Sequence, residues 1–215
     1  MSDALIQAVE SVFQYPTSPS GRRHGPRGYT SYQSYKPWLR DEFSFRCVYC
    51  LCRERWEPNG AESFSVEHVV TQSSDPSQAR DYANLVYACC ICNSSRADAP
   101  LPFHPSHVSL RDHLQLLPNG TMRSSTDEGA ALIEICRLNR ASLVSFRQRL
   151  LHVIAALAAH RDHPPARSAL REMLGFPEDL PKLAGRRPPD GNARPQGIAE
   201  SYFEQHNRGE LPEFY

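Results

Sequence analysis

The chain has 215 residues and a formal net charge of zero, with 24 Lys and Arg against 24 Asp and Glu. That length suits one domain with a real core, or one small domain with appendages. The even charge excludes a globally basic nucleic-acid binder, and 18 prolines favour a compact unit with irregular connections.

Residues 1–14 read as a short amphipathic helix with Leu5, Ile6, Val9, Val12 and Phe13 on one face. The same stretch carries Asp3 and Glu10 and lacks an apolar run long enough for a signal peptide or a membrane span. A cytoplasmic chain without membrane attachment is therefore expected. Residues 15–37 are rich in Pro, Gly, Ser and Tyr and predict an extended arm. No acid lies between Glu10 and Asp41, whereas Arg22, Arg23, Arg27, Lys36 and Arg40 fall in that stretch. Charge that cancels over the chain still forms a local basic face, and a phosphate backbone responds to the local field. Arg22, Arg23 and Arg27 are the expected DNA contacts. Tyr29, Tyr32, Tyr35 and Trp38 recur every three residues; they are expected to pack the arm on the core, with base stacking as the alternative.

Residues 38–100 hold two cysteine clusters. "RCVYC" supplies Cys47 and Cys50, and "ACCIC" supplies Cys89 and Cys92 at the same CxxC spacing. In a reducing compartment, seven cysteines do not suggest a disulfide framework. Two matched knuckles are the sequence form of a four-thiolate Zn²⁺ site, closed to water and therefore structural. The alternative is four buried free thiols. Cys52 and Cys90 fall outside the matched pairs and are read as non-ligands, and Cys136 as core. Between the knuckles, "SFSVEHVV" (63–70) predicts a strand, with Glu67 and His68 in the middle of an apolar run. Buried polar groups of that kind are either satisfied or functional.

Residues 101–125 predict a loop with a turn at "PNG" (118–120). His104, His107 and His113 within it fit no standard ligand spacing. Ser125 and Glu128 suggest a capping box for a helix bearing Leu132, Ile135 and Cys136. Asn139 is expected to cap a second, longer helix striped by Leu143, Phe146, Leu150, Ile154 and Leu157, which Pro164 and Pro165 should end. A brief helix near 166–174 follows. From Gly185, "GRRPPDGNARPQG" reads as a linker, and the residues to Tyr215 as disordered or docked on a partner. The division is 1–37 helix and basic arm, 38–100 core with knuckles, 101–184 loop and helical extension, and 185–215 linker and tail.

The CxxC knuckle, the Glu67–His68 strand and "NLVYACCICN" (84–93), in that order, resemble the zinc-knuckle HNH endonucleases in an H–N–N form. The resemblance covers under a third of the chain. It implies an α+β fold: a ββα-metal (HNH) core stapled by a four-cysteine zinc site, here with an N-terminal arm and C-terminal helices. It further implies a metal-dependent DNA endonuclease. His68 would be the general base, Asn84 would brace the loop against the His strand, and Glu67 and Asn93 would hold a catalytic Mg²⁺ or Mn²⁺. Arg96, three residues past Asn93, is a candidate phosphate clamp. Two departures stand out: Glu replaces the commoner Asp before the His, and "VVTQSSDPSQ" replaces the family's Pro and Gly-Gly. DNA is the expected partner, together with an ATPase or other defence-system subunit; restriction, defence or mobile-element work would suit such a protein. The rivals are a non-catalytic zinc-knuckle DNA-binding or adaptor protein, and a nuclease subunit active only inside a complex.

Overall fold

A computed structural model describes residues 7, 9–16 and 21–215. Leu5 and Ile6 of the expected first helix lie outside that range; Val12 and Phe13 are buried.

The centre is a ββα unit. Strand β1 (Phe64–His68) pairs antiparallel with β2 (Leu85–Cys89), with Phe64 opposite Cys89 and His68 opposite Leu85. Every residue of β2 is buried, which matches its unbroken apolar run. Strand β2 runs directly into helix α2 (Cys90–Arg96), and Cys89 is its N-cap. The first knuckle hooks onto β2 through the Val48 amide, which donates to the Tyr87 carbonyl at 2.9 Å. Helix α1 (Lys36–Glu42), begun with proline in its first turn, covers the unit and buries Trp38 and Leu39 completely. Between them, Arg40 grips Glu54 with two hydrogen bonds of 2.9 and 2.7 Å, and the Tyr87 hydroxyl donates to the same carboxylate at 2.6 Å.

The arm is folded down rather than free. His24 meets Asp41 at 2.7 Å with both side chains fully buried. Asp41 also accepts from the Tyr202 amide at 2.8 Å. One buried carboxylate thus fastens the arm, α1 and the tail. The tail, expected as a linker with a loose or partner-docked end, instead pairs with the arm: Arg27 N donates to Gly191 O at 2.9 Å and Ala193 N to Gly25 O at 2.8 Å. At Gly197 a Cβ would fall 1.9 Å from the Arg23 carbonyl, so the approach admits only glycine. Helix α7 (Tyr202–Asn207) and the buried Phe214 complete this seam. Its prolines and glycines mark a fitted coil, which composition alone does not distinguish from a linker.

The extension contains structure that the sequence pattern does not signal. Helix α3 (Leu110–His113) leads into a hairpin, β3 (Leu114–Leu116) with β4 (Met122–Ser124), around the expected turn. The strands are three residues each, too short for a periodicity signal. Helix α4 (Asp127–Ile135) is capped by Thr126, whose hydroxyl accepts from Gly129 N at 3.0 Å, one residue beyond the expected Ser125. Asn139 caps nothing; its amide brackets the Met122 backbone at 2.6 and 2.8 Å. Helix α5 (Ala141–Ala159) buries Leu143 and Ile154 of the expected stripe. Pro164 and Pro165 begin α6 (Pro164–Leu174) instead of ending α5, since the first turn needs no proline N–H.

Candidate active site and metal centre

The two knuckles converge. The sulfurs of Cys47, Cys50, Cys89 and Cys92 all lie within 4.8 Å of one another, and all four residues are buried. Cys50 and Cys89 are 3.7 Å apart, and a tetrahedral ZnS₄ centre with bonds of about 2.3 Å sets its sulfurs about 3.8 Å apart. Burial pushes the Cys47 thiol well up, while Cys89 is driven down because the other three thiols hydrogen-bond to it. A cation removes that conflict, so the donor set fits a thiophilic ion such as Zn²⁺. Cys52 turns away to Glu57 at 3.3 Å, Cys90 is exposed, and Cys136 is fully buried away from the quartet.

Cys89 also accepts from the Cys92 amide at 3.4 Å, so a single sulfur both faces the other three and starts α2. Arg140, just before α5, donates to Cys92 Sγ at 3.8 Å. Nothing in the sequence around Arg140 signals this link, which ties the helical extension to the sulfur cluster.

His68 is the last residue of β1 and is half-buried. Its Nε2 lies 3.0 Å from the Ala79 carbonyl, an acceptor only, so Nε2 carries the proton and Nδ1 is the basic nitrogen. Gln72 Nε2 lies across the ring edge, 3.3 Å from Nδ1 and 3.2 Å from Nε2; with Nε2–H given to Ala79, its amide can donate only to Nδ1. The Tyr32 ring meets the imidazole edge-on at 4.6 Å between centroids. Burial lowers the His68 pKa from its ordinary value, with Arg96 adding to the effect against the Ala79 hydrogen bond. Asn84 is buried and closes the loop after β1: its amide donates to Val70 O at 2.9 Å and Gln78 O at 3.2 Å, and accepts from Val70 N at 2.8 Å.

Strand pleating sends Glu67 to the face opposite His68. On that face α2 lies alongside β1: Asn93 Nδ2 donates to Ser65 Oγ at 2.8 Å, and one turn later Arg96 pairs with Glu67. The Asn93 side-chain oxygen, Oδ1, makes no hydrogen bond among the described residues. Arg96, expected on phosphate, is buried; it donates also to the His68, Val69 and Ala99 carbonyls. Glu67, expected as a metal ligand, is held by this arginine. Burial raises its pKa to about 6, with Arg96 pulling the other way. Asn93 and Glu67 therefore share a face, whereas no hydrogen bond joins His68 to either of their side chains.

The expected DNA-contacting arginines divide. Arg22 donates to the Ala83 (3.2 Å) and Leu85 carbonyls and lies over the Phe43 and Tyr82 rings. Arg23 pairs with Asp41 at 3.2 Å and covers the Tyr202 ring. Both are half-buried struts, their charge drawn toward carbonyls, a carboxylate and ring faces. Only Arg27 of the three is exposed. Tyr35 and Trp38 pack in the core, as expected for the aromatics. Among the described residues, no helix is long and apolar enough to cross a membrane.

A family model described as HNH endonuclease matches residues 47–98, which span both knuckles, β1, β2 and α2. No curated protein matches the chain. The match coincides with the segment that the fold makes into a ββα unit around four cysteines. The chain thus carries an HNH endonuclease domain, a nuclease kind of module, over residues 47–98 of its α+β fold.

Proposed function

We propose that this protein is a metal-dependent endonuclease that hydrolyses DNA phosphodiester bonds with His68 as general base. The observation that carries the reading is the orientation of the imidazole: the Ala79 carbonyl holds Nε2–H at 3.0 Å, so Nδ1, beside the Gln72 amide at 3.3 Å, is the nitrogen that takes a proton from water once that amide turns aside. The lowered pKa keeps the ring neutral, and so basic, at pH 7. Asn84 holds the loop that supplies Ala79, since its amide clasps Gln78 and Val70. Asn93 offers a side-chain carbonyl oxygen suited to a hard divalent ion. Mg²⁺ or Mn²⁺, when bound, supplies Lewis acidity to the phosphoryl group. Glu67 joins that ligand set only if Arg96 releases it. Arg27 is the surviving candidate for phosphate contact from the arm. The four-cysteine cluster holds Zn²⁺ as a structural ion.

The test is cleavage of supercoiled plasmid with Mg²⁺ or Mn²⁺, with and without EDTA. His68→Ala should slow cutting by about 10²–10⁴-fold with zinc content unchanged. The acid limb of the rate profile should have its midpoint below 6.5, since the base must be neutral. Cutting that survives both EDTA and His68→Ala would exclude the proposal. The Glu67–Arg96 pair favours a second reading, in which the isolated chain is latent and cuts only within a complex. Arg96→Met then raises the basal rate, whereas an adaptor without chemistry binds DNA and never cuts. A role in defence, restriction or mobile-element biology rests on the domain alone.

A further inference from the structure

Two neighbouring guanidiniums lack the acid that buried arginines require. Arg46 and Arg53 face each other in an isolated antiparallel bridge. Their Cζ atoms stand 4.6 and 4.3 Å from the centroid of the same Tyr215 ring. Arg53 is fully buried, and its one hydrogen bond goes to the Leu174 carbonyl at 3.2 Å. Arg46 Nε, Arg53 Nε and Nη2, and the Tyr215 hydroxyl are all buried without a hydrogen-bond partner. Among the described residues no carboxylate lies within ion-pair distance of either arginine. Arg40 by contrast has Glu54 and Arg96 has Glu67, whereas the fully buried Arg147 rests on the Leu138 carbonyl at 2.8 Å and, among the described residues, lines no cavity with a second guanidinium beside it.

Arg46 is the member that opens outward. It lines a cavity of about 470 Å³ whose other walls include Tyr15, Phe43, Val48, Val108 and Leu110. Glu42 also lines it, but its carboxylate is committed to the Arg23 and His24 amides at 2.7 and 3.1 Å and the Tyr82 hydroxyl at 3.1 Å. A cavity of this size, apolar in its body with one cationic group at its wall, has the form of a small-ligand site. We infer that it binds a small organic anion, with an apolar body against Phe43 and Val108 and a single phosphate or carboxylate head on Arg46. The anion supplies the missing counter-charge for the Arg46–Arg53 pair. The cavity wall includes neither His68 nor Asn93, although Cys47 of the quartet forms part of it.

The experiment is titration calorimetry with thermal denaturation on the full zinc-loaded chain. Inorganic phosphate tests the head alone and benzyl alcohol the body alone; phenyl phosphate and decanoate combine the two and distinguish phosphate from carboxylate. At least one combined probe should bind tenfold or more tightly than inorganic phosphate and raise the melting temperature by about 5–10 °C at a hundredfold excess over its Kd. Arg46→Gln should lose that binding tenfold or more. Val108→Trp, which fills the apolar end without touching the arginines, should lose it too, and serves if the first variant does not fold. Arg187→Gln, on the surface, should bind as the wild type does. Saturable binding by no combined probe, equal binding by both cavity variants, or a cavity already filled by the chain's own residues next to Pro16 would overturn the inference.

Discussion

The sulfur cluster and the His68–Asn93 constellation come from the same stretch of chain, yet they close to different degrees. Four cysteines from two knuckles meet within 4.8 Å. His68 and Asn93 stay on opposite sides of one strand, joined to Tyr32 and Ser65 respectively. The difference lies in what fixes each group. A CxxC turn sets its own sulfurs by local backbone geometry, and the Val48–Tyr87 hydrogen bond then brings one knuckle to the other. The proposed catalytic set must reach across a pleat, and pleating separates neighbours. The sulfur cluster is thus an intrinsic property of short segments, whereas the proposed site depends on what α2 and the arm press against β1.

The contrast can be broken most severely at the sulfurs. Cys92→Ser should abolish stoichiometric zinc in elemental analysis and remove the cooperative thermal transition. Zinc-nucleated domains of this size owe on the order of 10 kcal/mol to the ion, comparable to a small domain's whole stability. Retained zinc and an unchanged transition would show that the knuckles close without a metal.

Next is the buried pair on the Asn93 face. Arg96→Met leaves the Glu67 carboxylate uncompensated and should destabilise the fold by about 3–5 kcal/mol in urea denaturation at pH 7. At pH 5 the loss should be smaller, because Glu67 then takes up a proton. The wild type carries a milder form of the same dependence. With its folded pKa raised to about 6 from 4.5, Glu67 binds more protons in the folded state. Its contribution is therefore fully present below pH 4.5 and is lost as pH rises through 6, about 2 kcal/mol in all. Glu67→Gln should flatten that slope in pH-dependent melting, and an unchanged slope would place the titration elsewhere.

The smallest expected effect sharpens the link between staple and extension. Arg140→Gln removes the N–H···S hydrogen bond to Cys92 and should weaken zinc retention by about 10–100-fold in competition with a chromophoric chelator. The global fold should survive in circular dichroism. Equal retention would mean that the arginine merely lies nearby.

These particulars also show what the sequence makes legible. The matched cysteine spacing, the strand at 63–70 and the apolar stripe of α5 are local patterns, and local geometry carries them into the structure. Arginine roles are not legible in the same way. Arg22, Arg23 and Arg96 look like a basic surface in a charge count, and each turns inward because a carbonyl, a ring face or a carboxylate from a distant segment is waiting. The tail differs from its expected form for the same reason: "GRRPPDGNARPQG" has a linker's composition, and only the arm opposite it gives its amides partners. Arg140 and the Arg46–Arg53 pair carry no motif at all. Their meaning comes from a distant neighbour, Cys92, in the first case and from missing neighbours in the second.

Cys89 ends a strand, caps a helix and offers a sulfur to the quartet, four residues before Asn93. No substitution at that position can tune one of these roles alone. A redesign aimed at the proposed ion site would have to leave Cys89 untouched and work from the far end of α2, because the helix that carries Asn93 is anchored on that sulfur.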